Sequence, residues 1–398
     1  MNRKLHMLML ASIATMQCYA TNETVDTLKT YELHDVTVTS TRAGKHTPMA
    51  YSSLDKNQIK KLNHGQDIPF LLALTPSITT TSDAGNGIGY TSLKVRGTDP
   101  SRINFTANGI PLNDAESSQV FFVNMGDFMS SVKDIQIQRG VGTSTNGSAA
   151  FGATINMQTD APSLQSYLNL NASAGSYGTH KESLRFGSGL LAGHWSFDGR
   201  LSNIGSNGYI DRATSQLNSY FMQGAYTSDN TLIKLLTFNG IEKTYMAWDY
   251  ATKEQMKQHG RRYNPSGEYV DDKGITRYYS NQTDNYHQQN YQLIWNQLLG
   301  NHFSFSAALH YTAGFGYYEQ YMVDQKLAKY GLTTTGLKSD LIRRKNMRND
   351  FFGGVYALNY KQNRLEASLG GAINHYNGRH FGTLTSVINP VVTNYPDN

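Results

Sequence analysis

The stretch from residue 93 to residue 159 decides the fold of this chain: Leu93-Lys94-Val95-Arg96-Gly97, then residues 103–112, then residues 132–159. In the middle segment, Ala107-Asn108-Gly109-Ile110 separates two runs of β-forming residues. Asn-Gly is the strongest short-range signal for a type I′ turn, because both residues tolerate a positive φ. The sequence therefore predicts a β-hairpin centred on Asn108 and Gly109.

The third segment combines a strand, a run of small residues and a second strand. Val132, Ile135 and Ile137 are interleaved with polar residues up to Arg139-Gly140, and the chain resumes at Phe151-Gly152-Ala153-Thr154-Ile155-Asn156-Met157. An Arg-Gly after a strand, a Gly/Ser/Ala stretch and an Ile-Asn-Ile strand form the pattern of the plug of TonB-dependent outer-membrane transporters, which this chain resembles. It departs from that pattern where Val141 replaces Pro and Ala153 replaces Gly. The alternative is an ordinary β-rich soluble domain with glycine turns.

Composition is consistent with a membrane barrel and excludes a polytopic helical membrane protein. The chain has 398 residues and a mean hydropathy of −0.49. Barrel strands alternate lipid-facing apolar residues with polar lumen residues, so they average to a hydrophilic value. The formal charge of +5 is only modestly basic. The basic run from Arg343 to Arg348 is predicted to be a solvated loop rather than a nucleic-acid surface.

The first 20 residues have the features of a secretory signal. Arg3 and Lys4 precede an apolar run at residues 5–13, and Ala20 is a small residue at the position expected for signal-peptide cleavage. We predict a cleaved signal peptide at residues 1–20, with lipidation of Cys18 as the alternative. Cleavage after Ala20 leaves a mature chain without cysteine.

Residues 21–42 are predicted to form a periplasmic tail that contacts a partner. In the family, a similar extended segment just before the plug is the TonB box, and an extended peptide can add itself to the edge of a partner sheet. The resemblance therefore implies contact with TonB, driven by its inner-membrane energising complex. The alternative is that this segment is only the first strand of the plug. The implied contact residues are Glu32, Leu33, His34, Asp35, Val36 and Thr37.

Residues 43–162 are predicted to be an N-terminal α+β plug domain. Residues 54–74 are expected to be helical, with a second helix capped by Asp67 and carrying Pro69 in its first turn. The resemblance also implies that Arg96 and Arg139 lock the plug to glutamates of later barrel strands. Because we expect those strands to be missing, the two guanidinium groups should lack these carboxylates.

Residues 163–398 are predicted to be the N-terminal part of a transmembrane β-barrel. Leu168 and Leu170 alternate with Asn169 and Asn171, and similar strands of about ten residues recur. We count nine or ten strands, whereas the family resemblance implies a 22-stranded barrel. The fold is therefore expected to be a partial membrane β-barrel with a plug, and the sequence a truncated member.

The longest predicted loop, residues 244–289, is rich in aromatic residues. Tyr245, Trp248 and Tyr250 are candidate ligand contacts, although an interfacial aromatic girdle or packing within the loop would explain them equally well. His259 and His287 lack metal-ligand spacing, so no metal site is predicted.

The resemblance implies an outer-membrane receptor of a Gram-negative bacterium for TonB-dependent uptake of a scarce nutrient. The leading ligand class is an iron-siderophore complex, with cobalamin, haem and oligosaccharides as alternatives. A secreted β-rich adhesion or structural protein is the second hypothesis. A surface hydrolase is disfavoured because no Gly-x-Ser-x-Gly, His-Glu-x-x-His or carboxylate pair is present. We predict no catalytic residues, no cofactor and no nucleic-acid partner, with outer-membrane lipid as the surroundings.

Overall fold

A computed structural model of the chain describes residues 42–43, 49–141, 150–332 and 336–388. The predicted signal peptide and the predicted TonB-contact segment, Glu32 to Thr37, lie outside these residues. No helix within the described ranges is both long and apolar enough to cross a membrane.

The first part of the chain forms a small α+β domain, the plug. Its main sheet has the order β1-β6-β7-β4-β5, in which β4 and β7 are parallel, and β2 and β3 form a separate antiparallel pair. The elements of the plug are β1 (Ala50–Asp55), α1 (Lys56–Leu62), α2 (Ile68–Leu71), β2 (Ile78–Ser82), β3 (Thr91–Val95), β4 (Ile103–Ala107), β5 (Ile110–Pro111), β6 (Val132–Arg139) and β7 (Ala153–Thr159), with single 3-10 turns at Pro100–Arg102, Phe122–Met125 and Phe128–Ser131.

The predicted hairpin is present between β4 and β5. Ala107 pairs with Ile110, and the two turn residues have φ values of 57° at Asn108 and 82° at Gly109. The predicted helical region contains two short helices. Asp67 is the N-cap residue of α2 as expected, but its carboxylate makes no capping bond and instead accepts from Thr91.

The second part of the chain forms one antiparallel sheet, which we call the wall. Its order is β18-β17-β16-β15-β12-β11-β10-β9-β8. Its strands are β8 (Ser166–Ala174), β9 (His180–Ser188), β10 (Trp195–Ser206), β11 (Ser215–Thr227), β12 (Thr231–Tyr245), β15 (Thr283–Leu299), β16 (Phe303–Lys326), β17 (Lys338–Gln362) and β18 (Leu365–Val387). The connection from β12 to β15 carries α3 (Lys253–His259), β13 (Glu268–Val270) and β14 (Thr276–Tyr278). The predicted domain boundary at residue 162 lies in the connection between β7 and β8.

The first two wall strands, β8 and β9, have nine residues each, as the sequence predicted, but the last three are much longer. β16, β17 and β18 have 24, 25 and 23 residues rather than about ten. The prediction of a solvated loop at residues 343–348 was also wrong, because these residues belong to β17 and pair with both β16 and β18. Charged residues are tolerated there because the ladder satisfies the backbone and side chains such as Arg343 and Arg344 have polar partners on β16, Gln320 and Glu319.

The two faces of the wall differ in chemistry. On β12, Lys234, Leu236 and Phe238 face the plug and are buried, whereas Ile233 and Leu235 face away and are 40% and 60% exposed. Further apolar side chains are exposed on the wall, namely Leu168, Leu170, Phe197, Leu201, Leu293, Trp295, Leu309, Phe352, Leu369 and Ile373. This two-residue alternation is the one predicted for a membrane barrel.

The plug packs against the inner face of the wall. Its core, around Phe105, Ile135 and Ile155, continues through Phe128 into Phe238 of the wall, and these last two rings lie 4.7 Å apart. The two sheets nevertheless stay separate, without shared strands. The plug therefore sits on the wall through side chains rather than through a backbone ladder.

One glycine of the wall allows this close approach. A Cβ on Gly240 would lie 2.0 Å from the carbonyl oxygen of Asn124, in the 3-10 turn Phe122–Met125. Since a backbone atom blocks the site, the plug would have to shift to accept any side chain there.

We predict that Gly240→Ala destabilises the chain by about 1–3 kcal/mol, the usual effect of overpacking. The measurement is the urea midpoint of unfolding of the purified chain in detergent micelles. Gly382→Ala is the matched control, because the nearest atom to a Cβ there, in another wall strand, is 3.8 Å away. Equal midpoints for the two variants would contradict the prediction.

Candidate functional site

A cavity of about 950 Å³ lies between the plug and the wall. Plug residues 111–125 and Tyr90 line one side, and strands β12 and β15–β18 line the other. Any molecule that occupies this cavity would therefore contact both parts of the protein.

The plug side of the cavity is a loop held in shape by its own side chains. Asn113 accepts from the amide of Phe105 at 2.8 Å and donates to the carbonyls of Ile103 and Ser118. Asp114 accepts from the amide of Ser117 at 2.7 Å. Side chains that replace a backbone ladder in this way fix a loop without extending the sheet.

On the wall side of the cavity, strand β17 carries two cations on the inner face, Arg343 and Lys345, with Arg344 between them on the opposite face. Arg344 pairs with Glu319 at 2.7 Å and lies over the ring of Tyr317, 4.1 Å from its centroid. Arg343 donates to Gln320 at 2.9 Å, and Lys345 lies 5.4 Å from the ring centroid of Tyr318. Because Gln320 is neutral and the rings only partly offset charge, these groups can attract an anionic ligand.

Aromatic side chains connect this basic strand to the plug. Trp248 meets Tyr90 edge to face at 4.9 Å and Tyr318 at 6.0 Å, and all three line the cavity. The hydroxyl of Tyr90 donates to Asp284 of the wall, and Glu242 lies 3.5 Å away. Burial and these two carboxylates raise the pKa of Tyr90 well above its usual value, so the phenol stays a hydrogen-bond donor.

The structure gives the three aromatic residues singled out in the sequence different surroundings. Trp248 lines the cavity. Tyr245 is buried away from it and donates to the carbonyls of Ser266 and Tyr279, which is the packing role that the sequence left open. Tyr250 is 73% exposed and donates to Asp83 of the plug at 2.9 Å.

The two predicted locking arginines have neighbours within the plug. Arg139 donates to the carbonyl of Pro76 at 3.1 Å and to the hydroxyl of Ser52 at 2.5 Å, whereas Arg96 is exposed with a φ of 52°. Their role in locking the plug to glutamates stays a prediction.

A buried charged contact that was not predicted from the sequence joins plug and wall, the Asp127 cluster of Asp127, Lys181, Arg200 and Ser202. Asp127 of the plug pairs with Lys181 at 2.5 Å and with Arg200 at 3.5 Å, and it accepts from Ser202 at 2.8 Å. Removing one partner of such a buried pair typically destabilises a protein by about 3–5 kcal/mol. The available signal was the inward-facing position of Arg200 in the alternation of β10, together with a lone acid in an apolar stretch.

The described residues contain no group of three or more His, Cys, Asp or Glu side chains that could hold a metal ion. His287 packs edge to face against Phe315, and His259 stacks on Tyr263.

A buried acid supports the plug loop that carries Tyr90. The amide of Asp67 donates to the carbonyl of Gly87, and its carboxyl accepts from Thr91 at 2.9 Å. Burial raises the pKa of Asp67 from 3.8 to about 8, against the effect of the bonds from Thr91 and Gly89. Because the pKa of Asp67 is raised in the folded state, its contribution to the free energy of unfolding is complete below about pH 4 and is lost as the pH rises through 8.

We predict that Asp67→Asn removes this pH dependence. The native chain should lose up to about 1.4 kcal/mol of unfolding free energy per pH unit between pH 5 and pH 8, and the variant should lose markedly less. Urea unfolding at several pH values measures the slope. Asp99→Asn, at an exposed plug carboxylate, should keep the native slope, and equal slopes for Asp67→Asn and the native chain would disprove the prediction.

Comparison with known proteins agrees with this architecture. Residues 43–154 match the family described as TonB-dependent Receptor Plug Domain. No curated protein sequence matches the chain.

Several solved structures share the fold at low sequence identity. The copper transporter OprC superposes with a TM-score of 0.65 at 13% identity, covering 87% of this chain and 49% of that one. The ferric citrate transporter FecA in its unliganded form gives 0.61 at 13%, covering 90% and 52%. The siderophore receptor PiuA from Acinetobacter baumannii gives 0.60 at 15%, covering 88% and 48%. The chain thus spans about half the length of these proteins.

Fold and site together define a plug that closes against part of a barrel wall and shares a cavity with it. Residues 43–154 match the TonB-dependent receptor plug domain, and the strands that follow share the fold of part of the barrel in the solved structures named above. This confirms the predicted family and fold class.

Proposed function

We propose that the chain acts in an outer-membrane receptor that takes up a scarce nutrient with energy delivered through TonB. The observation that supports this proposal is the cavity of about 950 Å³ that the plug apex, residues 111–125, and the wall form jointly. A ligand bound in this cavity contacts the plug directly. Ligand binding and opening of the plug can therefore be coupled without a nucleotide site. The membrane location is supported by the apolar side chains on the outward face of the wall.

The proposed ligand class is an anionic metal chelate, with an iron-siderophore complex as its leading member. Arg343 and Lys345 supply positive charge, and Trp248 and Tyr318 supply flat surfaces against which a planar chelator can stack. The solved structures that share the fold include a ferric citrate transporter and a siderophore receptor. Cobalamin, haem and oligosaccharides are the alternative ligand classes.

Tryptophan fluorescence gives a direct test of this ligand class. The chain has three tryptophans, of which Trp195 and Trp295 are exposed on the outside of the wall and Trp248 lines the cavity. Titration with a ferric tris-catecholate or ferric citrate should quench the emission of the chain in detergent micelles, and Trp248→Phe should abolish the quenching.

The charge contribution is tested by single substitutions in β17. We expect Lys345→Ala and Arg343→Ala each to weaken binding of the ferric chelate about tenfold. Lys361→Ala is the matched control, because Lys361 lies on the same strand, does not line the cavity and is paired with Glu366. Quenching by cyanocobalamin or an oligosaccharide, with no effect of the β17 substitutions, would overturn the anionic class.

We propose that Glu32 to Thr37 contact TonB by adding a strand to its sheet. Val36→Pro removes a backbone donor and should lower affinity for the soluble periplasmic domain of TonB from the same bacterium at least tenfold. Val36→Thr keeps the donor and β propensity, so it should bind normally. Calorimetry measures both, and deletion of residues 22–27 controls for shortening the tail. Full binding by Val36→Pro would exclude strand addition at this position.

A further inference from the structure

One plug segment, residues 121–131, contacts the wall through apolar side chains such as Phe128 and Val123 and, between them, through a group of polar and charged atoms. The carbonyl of Gly126 accepts from the hydroxyl of Ser219 on β11 at 2.7 Å. The next residue, Asp127, is bonded to Lys181 on β9 and to Ser202 on β10, and it is paired with Arg200 on β10. Three adjacent wall strands therefore hold two consecutive plug residues.

The geometry at Asp127 is specific to this contact. The residue adopts a left-handed conformation with a φ of 52°, which non-glycine residues seldom adopt. Its side chain is 0% exposed, and the side chains of Lys181 and Arg200 are 6% and 1% exposed. Within the plug, the hydroxyl of Ser130 also donates to Asp127 at 2.5 Å. The strained backbone thus directs one carboxylate onto two wall cations.

The contact stays charged over the pH range of living cells. Burial opposes ionisation of Asp127, but Arg200 and Lys181 outweigh it and lower the pKa of Asp127 to about 2. Protonation therefore does not open the contact near neutral pH. Opening requires that the carboxylate and the two cations move apart.

A charged interface of this kind is suited to separation. Apolar surfaces that part in water remain unfavourably exposed, whereas a carboxylate and two cations that part regain their hydration. Buried ion pairs are weak net stabilisers compared with apolar packing, but loss of one partner leaves an uncompensated charge. Such a contact holds one position firmly and still permits release.

We propose that Asp127 is the latch of the plug: its contact with Lys181 and Arg200 holds segment 121–131 against the wall, and the plug leaves the wall by breaking it. A second plug–wall ion pair is differently built. Asp160 is shared between Arg185 of the wall and Lys56 of the plug itself, and its side chain is 19% exposed. Loss of Asp160 would thus remove a contact that is already partly hydrated.

Accessibility of a buried cysteine tests the latch without any ligand or TonB, so the result is independent of the proposed function. Ser131 is 1% exposed, and its hydroxyl has no hydrogen-bond partner among the described residues, so Ser131→Cys is a mild change. Cys18, the single cysteine of the sequence, is replaced by Ser in every variant. Because position 131 is buried, the rate of maleimide labelling there then reports how often the segment opens.

Asp127→Asn in this background should raise the labelling rate at least tenfold, because it leaves Lys181 and Arg200 without their carboxylate. Asp134→Asn is the matched control: it removes a plug carboxylate that pairs with Arg42 inside the plug and does not contact the wall cations. It should label within about twofold of the parent. Equal rates for the two variants, with the β-sheet circular dichroism intact, would overturn the proposal.

Lys181→Met and Ser202→Ala keep the test decisive if Asp127→Asn does not fold. Each removes one partner of Asp127 and leaves Arg200 to balance its charge, so we expect labelling to rise about threefold. Folded protein with parental labelling rates in both variants would equally overturn the latch.

Discussion

Alternation of side chains along the wall strands is the constraint on which the rest of the structure depends. Because successive residues of a strand point to opposite faces, each wall strand places apolar residues such as Leu235 outside and polar or charged residues such as Lys234 inside. The inner face is therefore able to receive a folded domain through hydrogen bonds and ion pairs. The outer face keeps an apolar surface that suits lipid.

The plug fits this inner face through a mixed interface. Phe128 and Phe238 extend the plug core into the wall, whereas the Asp127 cluster and the bond from Lys234 to Thr159 at 2.9 Å supply polar contacts. Apolar packing adds stability that is lost when the parts separate, and polar groups can exchange their partners for water. Both kinds of contact hold the plug in place while it keeps a sheet of its own.

The cavity arises where this interface ends, because the plug apex at residues 111–125 does not fill the space beside β15–β18. Its chemistry is uneven: Tyr90 with two carboxylates lies at one side, and the cations of β17 lie at the other. Trp248 and Tyr318 connect the two sides. A ligand that stacks on these aromatic rings would therefore lie close both to the carboxylates and to the cations of β17. This arrangement comes from three distant parts of the sequence.

Local sequence determined the elements and the family. Asn108-Gly109 specified its hairpin because only residues that tolerate positive φ form that turn, and the alternation after residue 163 specified strands with one apolar face. Tertiary structure alone decided the strand lengths, the placement of residues 343–348 in β17, and the pairing of Asp127 with Lys181 and Arg200, which are 54 and 73 positions away. Alternation along a strand predicts the face on which each side chain lies. The residue that it contacts there depends on the register of several strands and on the position of the plug, and no local sequence pattern encodes either of these.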